Sequence, residues 1–576
     1  MSNRKFRSSY WQALFPLLLT SAACTGELTS PPTGGQTASV PGDGPGSSVP
    51  TTIPVTPNTE RGGTAVVPTT QLDPGRVVLR RLNRTEYDNT VRDLLGTAQT
   101  PARASFPADD VEDGFDTLGE SLVVSRLLTD QLVKAAGTLV DELLARPAGD
   151  PVRTRVLSCE PTAANAATCV QQILGGFMKN AYRRPVAADE IQAHVALFTT
   201  VQQAAGDVMR GVNAALKSIV LSPHFLFRVE LGDPTSTAAT PLSDYELASR
   251  LSYFLWASMP DQALLAAAES KKLTPATADL DSEINRLLAD PKAASFVESF
   301  AGQWLSTRDA LQFVADDTKF PTFDDALREA MPQETNLFFK SLIDEKQPLS
   351  ALVLGNYTFV NDRLAKQYGL PGGQATFTRV SLEGTPRQGI LTQESFLTVS
   401  SYAFRTSPVR RADWVLEKLF CDPPPAAPAM IPALTETLPP GATLRQTFEA
   451  HRADPGCASC HRIMDPIGFA LENFDAMGTY RTMDNGAPVD ATGQLADGTP
   501  LAGAKDLAQA IAKDADYAIC VAKQMMTYAV GRSFSSTEAK AYAAGIGVPA
   551  KDATWPDFIK AVVKSEAFRT RRGEAL

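Results

Sequence analysis

The amino-acid sequence predicts a mainly α-helical fold, made of several multi-helical modules with one minor β hairpin. Three observations predict it. Apolar residues recur at three- and four-residue spacing through most of the chain after Pro74. Capping residues precede many of these stretches, and glycine or proline follows them. Extended patterns are confined to a few short segments, so strands should contribute little.

The first helix is predicted in the stretch RRLNRTEYDNTVRDLLG. Tyr87, Val91 and Leu94 fall on one face at helical spacing. Thr85 is the expected N-cap and Gly96 the expected stop.

Helical spacing continues through the next hundred and more residues. SLVVSRLLTDQLVKAAGTLVDELLA predicts one helix, and AATCVQQILGGFMKNAYRRPVAADEIQAHVALFTTV predicts two, the second opened by Pro185. DVMRGVNAALKSIVLSPHFLFRVE predicts a further helix, interrupted at Ser222 and Pro223.

The central part begins with PLSDYELASRLSYFLWASMP, in which Ser243 and Glu246 have the spacing of a capping box. A short extended segment is expected at Tyr357 to Val360. Ser407 and Pro408 are expected to open a later helix, and the proline run CDPPPAAPAM marks a rigid boundary after it.

In the C-terminal third, Asp465 followed by Pro466 predicts a helix start. PVDATGQLADGTPLAG predicts a small hairpin that turns at Asp497 and Gly498. The stretches DLAQAIAKDADYAICVAKQMMTYAVGR and WPDFIKAVVKSEAFRTR predict the last two helices.

Composition narrows the possible functions. The 576 residues are enough for about three to four ordinary domains. The net charge of −10 lacks the basic footprint of a nucleic-acid-binding protein, so no nucleic-acid partner is expected. The chain also has no P-loop, dinucleotide fingerprint or nucleophile elbow.

Residues 1–23 are predicted to be a signal peptide, with basic residues before the short apolar run WQALFPLLLT. The following SAAC resembles a lipobox, which would make Cys24 the lipidated first residue and the lipid bilayer a partner. Ser21 departs from the leucine usual in lipoboxes, and a plain secretory signal is the alternative. Gly26 favours sorting to the outer membrane, either periplasmic or surface-exposed.

The rest of the chain divides by composition. Residues 24–75 are rich in Pro, Gly, Ser and Thr and predict a disordered tether. The folded part is predicted to contain N-terminal helical modules at 76–240, a central helical module at 241–385, a motif-bearing module at 386–500 and a C-terminal helical module at 501–576.

The strongest chemical signal is CASCH, residues 457–461. In a C-x-x-C-H motif both thiols add to haem vinyl groups and the histidine ligates iron. The motif therefore predicts covalent haem c, bound by Cys457, Cys460 and His461, with His461 as the metal ligand. A two-residue disulfide loop and half a zinc site are the alternatives, and only His451 lies near enough in sequence to add a zinc ligand.

The second axial ligand stays open at this point. Met464 lies one turn from His461 on the same side and cannot easily reach across the iron. The remaining candidates are His451, Met477, Met483, Met525 and Met526. A Met/His pair would suit electron transfer, whereas an open position would permit oxygen or peroxide chemistry.

Side chains near the motif allow two interpretations each. Those that could cover a haem face or form ordinary core are Ile467, Phe469, Leu471 and Phe474. Those that could neutralise haem propionates or line a solvated helix start are Arg405, Arg410 and Arg411.

Four further cysteines remain for disulfides in an oxidising compartment. We expect Cys159 to pair with Cys169, and Cys421 with Cys520. Four cysteines allow three pairings, so other connectivities stay open.

Two weaker signals each have a simpler interpretation. DDVEDGFDTLGE places acidic residues and a glycine at calcium-loop positions, namely Asp109, Asp113, Gly114 and Glu120. Val111 occupies a ligand position there, which favours an ordinary solvated acidic loop. His224 lies among apolar residues and is more typical of a core histidine than of a ligand.

Several motifs together resemble one bacterial family. They are RRLNRTEYDNTVRDLLG, YRRPVAADEI, SPHFLFRVE, ASRLSYFLWASMPD, RTSPVRRADWVLEKLF, CASCHRIMDPIGFALENFDAMGTYR and MMTYAVGR. They are similar to successive modules of planctomycete and myxobacterial cytochrome-like surface proteins, built of domains of unknown function 1587, 1595, 1592, 1588 and 1585. The resemblance covers the chain from Arg80 onward and implies a c-type haem at Cys457, Cys460 and His461. It implies no particular reaction.

The sequence therefore predicts an envelope-anchored c-type haem protein. It would transfer electrons or act as a haem-dependent oxidoreductase, with an unidentified redox partner or substrate. The alternative is a surface binding or scaffold lipoprotein, for example for glycans, in which the two motif cysteines are only structural.

Overall fold

Helices form most of the regular structure, and the strands of the described residues occur as antiparallel pairs. The computed structural model describes residues 79–230, 238–274, 278–371, 374–425, 442–452, 455–546 and 553–572. The mainly α class with minor β structure is confirmed. The predicted signal peptide, Cys24 and the predicted tether lie outside the described residues.

The N-terminal part is helical apart from two short strands. Its elements are β1 (Arg80–Arg81), α1 (Arg84–Leu95), α2 (Pro101–Ser105), α3 (Arg126–Ala145), α4 (Pro151–Val156), α5 (Ala166–Ala181), α6 (Ala188–Ala205), α7 (Val208–Val220), α8 (Pro223–Leu226) and β2 (Phe227–Arg228). The interruption at Ser222 and Pro223 is confirmed. α6 begins at Ala188 and not at Pro185, because the Glu190 side chain accepts the backbone N–H of Ala187 and so closes the first turn there.

The cap of α1 also differs from the prediction. Asn83, not Thr85, is the N-cap, because its side chain accepts the backbone N–H of Glu86 while Glu86 accepts the N–H of Asn83. This reciprocal pair satisfies two donors that a helix start otherwise leaves unpaired. Gly96 ends the helix at φ 64°, as predicted.

The central part follows the same pattern. Its elements are β3 (Ala239–Pro241), α9 (Asp244–Trp256), α10 (Gln262–Glu269), α11 (Ala278–Ala289), α12 (Ala294–Phe296), α13 (Gly302–Trp304), α14 (Asp325–Asp344), α15 (Ala351–Leu354), β4 (Tyr357–Val360), α16 (Asp362–Tyr368) and β5 (Thr378–Ser381). Short 3₁₀ turns lie at Pro291–Ala293, Thr307–Gln312 and Ile390–Thr392, and a π turn lies at Val297–Ala301. The Ser243–Glu246 capping box and the extended segment from Tyr357 are confirmed.

The C-terminal part contains the motif. Its elements are α17 (Glu394–Val399), α18 (Pro408–Phe420), α19 (Leu444–His451), α20 (Pro455–Phe469), β6 (Met483–Asp484), β7 (Ala487–Pro488), β8 (Gly493–Gln494), β9 (Pro500–Leu501), α21 (Ala504–Lys513), α22 (Ala515–Val530), α23 (Ser536–Gly545), α24 (Trp555–Lys564), α25 (Glu566–Arg569) and β10 (Thr570–Arg572).

Two predictions for this part need correction. Pro466 does not begin a helix but lies inside α20. The stretch from Asp506 forms two helices, because Asp514 leaves the helical conformation and its side chain caps α22. The helix start at Ser407 and Pro408 and the hairpin that turns at Asp497 and Gly498 are confirmed.

Apolar side chains form two main cores that run across the helical parts. The larger core joins Phe115 to the central and C-terminal helices, as far as Phe568. The second core lies in the N-terminal helices and includes Tyr253 and Met259 of the central part. Neighbouring helical parts therefore share buried surface, and the predicted module boundaries stay predictions.

Largely buried ion pairs tie the chain just after β2 to α9 and β10. Both oxygens of Glu230 accept hydrogen bonds from the Arg250 guanidinium, at 2.6 Å each. Arg250 also donates to the backbone oxygen of Phe568 at 2.8 Å. Arg571 pairs with Glu246 in the same region. We call Glu230, Arg250, Glu246 and Arg571 the junction network.

Two disulfides cross-link the fold as predicted, Cys159 with Cys169 and Cys421 with Cys520. The second joins the end of α18 to α22. Within the part of the chain that the structure describes, none of the helices has both the length and the apolar character needed to cross a membrane.

Candidate cofactor site

The motif residues Cys457, Cys460 and His461 lie on α20, whose amphipathic pattern explains why the helix forms. Cys460, Met464 and Ile467 are spaced i, i+4 and i+7, and all three pack against the larger core. Ile463 on the other side is 48% exposed. The helix therefore buries one face and keeps the motif near the surface.

The far end of α20 packs unusually close to its neighbours. A Cβ on Gly468 would lie 2.2 Å from the backbone oxygen of Pro408, so only glycine lets α18 approach this closely. Pro466, which lacks an N–H, lies against Gly493 of β8. These contacts hold the motif helix against α18 and the small hairpin.

The two motif cysteines are unpaired and partly exposed. They are three residues apart on one helix, so their side chains lie within about one turn of each other. The alternative of a two-residue disulfide loop is wrong for this structure, because both thiols are free.

His461 is held by a buried carboxylate. Its Nδ1 lies 2.8 Å from Oδ1 of Asp465, which is fully buried one turn later on α20. An ionised Asp465 can only accept this hydrogen bond, which would place a proton on Nδ1 of His461. Burial raises the pKa of Asp465, and the hydrogen bond from His461 opposes that rise.

A cation and two aromatic rings surround this pair. Nη1 of Arg452 lies 3.6 Å from Oδ2 of Asp465. The ring of Phe448 lies 5.8 Å from the His461 ring and 6.0 Å from Phe469, centroid to centroid. The Arg445 guanidinium lies 4.2 Å above the Phe469 ring. α19 thus supplies apolar and cationic groups beside the motif.

The candidates for a second axial ligand fall in different environments. Met477 is buried in the loop after α20, and Met483 is 52% exposed on β6. Met525 and Met526 are fully buried in the larger core on α22. The side chain of His451 lies outside the described residues. The choice among these candidates stays a prediction.

Among the flanking residues, the core interpretation is confirmed for Ile467, Leu471 and Phe474, which belong to the larger core. The solvated helix start is wrong for Arg411. Its side chain is fully buried, pairs with Glu472 at 3.2 Å and donates to backbone oxygens of residues 471, 474 and 475. Arg410 donates to the backbone oxygen of Ser401. Arg405 donates to that of Thr406.

The acidic loop contains no calcium-like cluster. Asp109 is buried and pairs with Arg81 at 2.8 Å, whereas Asp113 and Glu120 are exposed. The interpretation as an ordinary solvated acidic loop is therefore wrong for Asp109. Across the described ranges, no three His, Cys, Asp or Glu side chains gather as a metal site would require.

His224 is not a core histidine. Its side chain is 40% exposed, and its Nδ1 lies 3.3 Å from the Arg184 guanidinium. Its ring lies 5.2 Å from that of Tyr182. The apolar residues next to His224 in the sequence do not bury it. In the four-residue helix α8 the buried side chain is that of Phe225.

Sequence reasoning missed the role of Asp465, which was assigned to a helix start. The four-residue separation from His461 was a usable signal, because residues i and i+4 of a helix are neighbours. The helix start predicted at Pro466 hides this signal, because it separates His461 and Asp465 into different elements.

Comparison with protein families gives five matches in succession. Each family is described as a protein of unknown function: DUF1587 at residues 80–145, DUF1595 at 169–230, DUF1592 at 242–370, DUF1588 at 387–484 and DUF1585 at 497–568. The motif helix lies within the DUF1588 match. No curated protein and no solved structure matches the chain.

Proposed function

The chain carries all five of these domains of unknown function, and from that premise we propose that it is a c-type haem protein that transfers electrons. One observation carries the proposal. Two unpaired thiols and a carboxylate-held histidine lie on a single stretch of helix with C-x-x-C-H spacing.

The residues present fit such a group. Cys457 and Cys460 would form its thioether bonds, and His461 would ligate the iron. Histidines that ligate metals commonly donate their other N–H to a carboxylate, which fixes the tautomer and ring orientation. Asp465 makes this contact with His461.

Haem, when bound, supplies a one-electron carrier. The chain's own residues would hold and shield it. Asp465 orients the imidazole, and Phe448 and Phe469 provide apolar surface that excludes water beside His461. Arg445 and Arg452 bring positive charge near the site and could pair with propionates. The partial exposure of both cysteines favours an edge that a redox partner can reach.

The test is production of the full chain in a host with cytochrome c maturation. We expect a protein that stays coloured after denaturation, with a haem-c pyridine adduct and about one iron per chain. Cys457→Ala with Cys460→Ala should abolish covalent attachment. Ser459→Ala, which changes an exposed residue between them, should leave it intact. Colourless, iron-free wild-type protein would contradict the proposal and favour the surface-binding alternative.

We further propose that Cys24 anchors the protein to the bacterial envelope, on the outer membrane. The support is the lipobox-like SAAC and Gly26 in the sequence. Cells that produce the full chain should incorporate a labelled fatty acid into it, and Cys24→Ala should lose the label. Equal labelling of wild type and Cys24→Ala would contradict the proposed anchor at Cys24.

A further inference from the structure

Two glutamates outside the motif are buried together between α14, α16 and α17. Glu334 and Glu394 are both fully buried. Glu334 accepts hydrogen bonds from the Thr358 hydroxyl at 2.5 Å and the Tyr368 hydroxyl at 2.6 Å. The backbone N–H of Glu394 donates to the Tyr368 hydroxyl at 2.7 Å. We call Glu334, Tyr368, Arg387 and Glu394 the acid cluster.

The carboxyl group of Glu394 differs from that of Glu334. Neither of its oxygens has a hydrogen-bond partner, although both are buried. A buried, unpartnered carboxylate is strongly unfavourable, so such a group takes up a proton instead. Glu334, with two hydroxyl donors, is the better place for negative charge.

Counting charges leads to the same assignment. Arg387 is the cation of the cluster, with its guanidinium carbon 3.6 Å from the centre of the Tyr368 ring. Arg387 can balance one carboxylate, and Arg363, the other cation that faces Glu394, is paired with Asp324 at 3.0 Å. An ionised Glu334 therefore leaves Glu394 without a cation of its own. The charged groups that face Glu394 from other elements are Arg387, Glu334, Arg363 and Asp475. Burial raises the pKa of Glu394 well above its ordinary value, and burial raises that of Glu334 to about 7.

The loop after the motif helix covers this cluster. Arg387 donates to the backbone oxygen of Gly478. A Cβ on Gly478 would lie 3.2 Å from Cγ of Glu394, so the loop backbone lies directly on this side chain. Gln367 donates to the backbone oxygen of Met477 at 3.0 Å. Residues 475–479 therefore form a lid over Glu394.

We propose that the acid cluster is a proton-binding site in which Glu394 holds a proton at neutral pH, and that loss of this proton opens the loop 475–479. When the O–H bond of Glu394 breaks, the proton passes to solvent water and the carboxylate remains. Two carboxylates then face one guanidinium, and the new charge requires water. Water reaches the new carboxylate when the loop 475–479 lifts away from Glu394. The inference does not depend on haem.

The direction of the pH effect follows from proton linkage. A glutamate whose pKa is raised by folding binds more protons in the folded than in the unfolded state once the pH exceeds 4.5. Stability therefore falls as pH rises from 4.5 to the folded-state pKa and levels off above it. Glu394→Gln keeps the shape of the side chain but cannot titrate, so it lacks this loss.

The experiment compares unfolding of full-length wild type, Glu394→Gln and Glu329→Gln from pH 5 to 9. Glu329 is exposed on the same helix as Glu334 and is the matched control. We expect the folding constant of wild type to fall relative to Glu394→Gln by up to about tenfold per pH unit within the titration window. Glu329→Gln should follow wild type. Parallel profiles for wild type and Glu394→Gln would overturn the proposal.

Two measurements on the wild type keep the proposal testable if Glu394→Gln does not fold. Infrared spectra at neutral pH should contain a protonated, buried carboxylic acid band. Hydrogen exchange of the amides at 475–479, corrected for intrinsic rates, should accelerate at high pH more than that of α22. A missing acid band, or equal protection of the loop at all pH values, would refute the assignment.

Discussion

Two glutamates with little solvent exposure, Glu230 and Glu394, have opposite electrostatic environments. Glu230 lies in the junction network, where Arg250 donates to both of its oxygens. Burial alone would raise its pKa, but the charge and hydrogen bonds of Arg250, together with the charges of Arg228 and Arg571, outweigh burial and lower the pKa. Glu394 lies in the acid cluster without a donor, and there burial raises the pKa.

The difference shows that burial alone does not decide whether a carboxyl group is charged, because a cationic donor can compensate the lost hydration. The junction network supplies a bidentate guanidinium, which compensates the loss of hydration. In the acid cluster the guanidinium of Arg387 donates to backbone oxygens of Thr392 and Gly478 instead. The same residue type is therefore a fixed charge at one site and a proton carrier at the other.

The largest expected effect comes from removing Arg250 from the junction network. Arg250→Met leaves Glu230 buried without its guanidinium and should lower the free energy of unfolding by about 3–5 kcal/mol at neutral pH. This loss of stability should grow as pH rises. In Arg250→Met the Glu230 carboxyl group lacks its Arg250 donors, as Glu394 lacks a donor, so its ionisation destabilises the folded state. Chemical denaturation at several pH values measures both.

The matched control is Arg210→Met, which removes an exposed arginine 4.0 Å from Asp207 on the surface. Exposed pairs contribute little, so no measurable change is expected there. If Arg250→Met is as stable as this control, Arg250 does not compensate the burial of Glu230.

A smaller effect is expected at the loop that covers the acid cluster. Gly478 and Gly384 have similar backbone conformations, with φ of 72° and 74°. An added Cβ at Gly384 meets nothing within 4 Å, whereas at Gly478 it meets Glu394. Gly478→Ala should therefore lose about 1 kcal/mol more stability than Gly384→Ala, as expected for overpacking. Thermal unfolding of both variants measures the difference, and equal losses would mean that the loop does not rest on Glu394.

Local signals were enough to predict several elements. Ser243 and Glu246 predicted a capping box, and Ser407 with Pro408 predicted the start of α18, because caps act over three or four residues. Four cysteines allow three pairings, and the expected one, with Cys421 joined to Cys520, is confirmed. The motif Cys457–His461 was found by spacing alone, and its attachment chemistry stays a prediction.

Other features depend on tertiary contacts that no local pattern contains. Pro466 lies inside α20 because α18 and β8 pack around this end of the helix. Glu334 and Glu394 lie on different helices, α14 and α17, and no local pattern around either residue indicates the other. Only the folded chain brings them to Tyr368 and reveals that one of them lacks a partner.

The bond between Cys421 and Cys520 joins residues 99 positions apart in the sequence, and α20 lies between them. A protease that cuts once between these cysteines cannot release the motif helix as a separate fragment. Both pieces stay covalently joined until a reductant is added. The segment that carries Cys457, Cys460 and His461 is thus fastened to the helical body at both ends, by the chain on one side and by sulfur on the other.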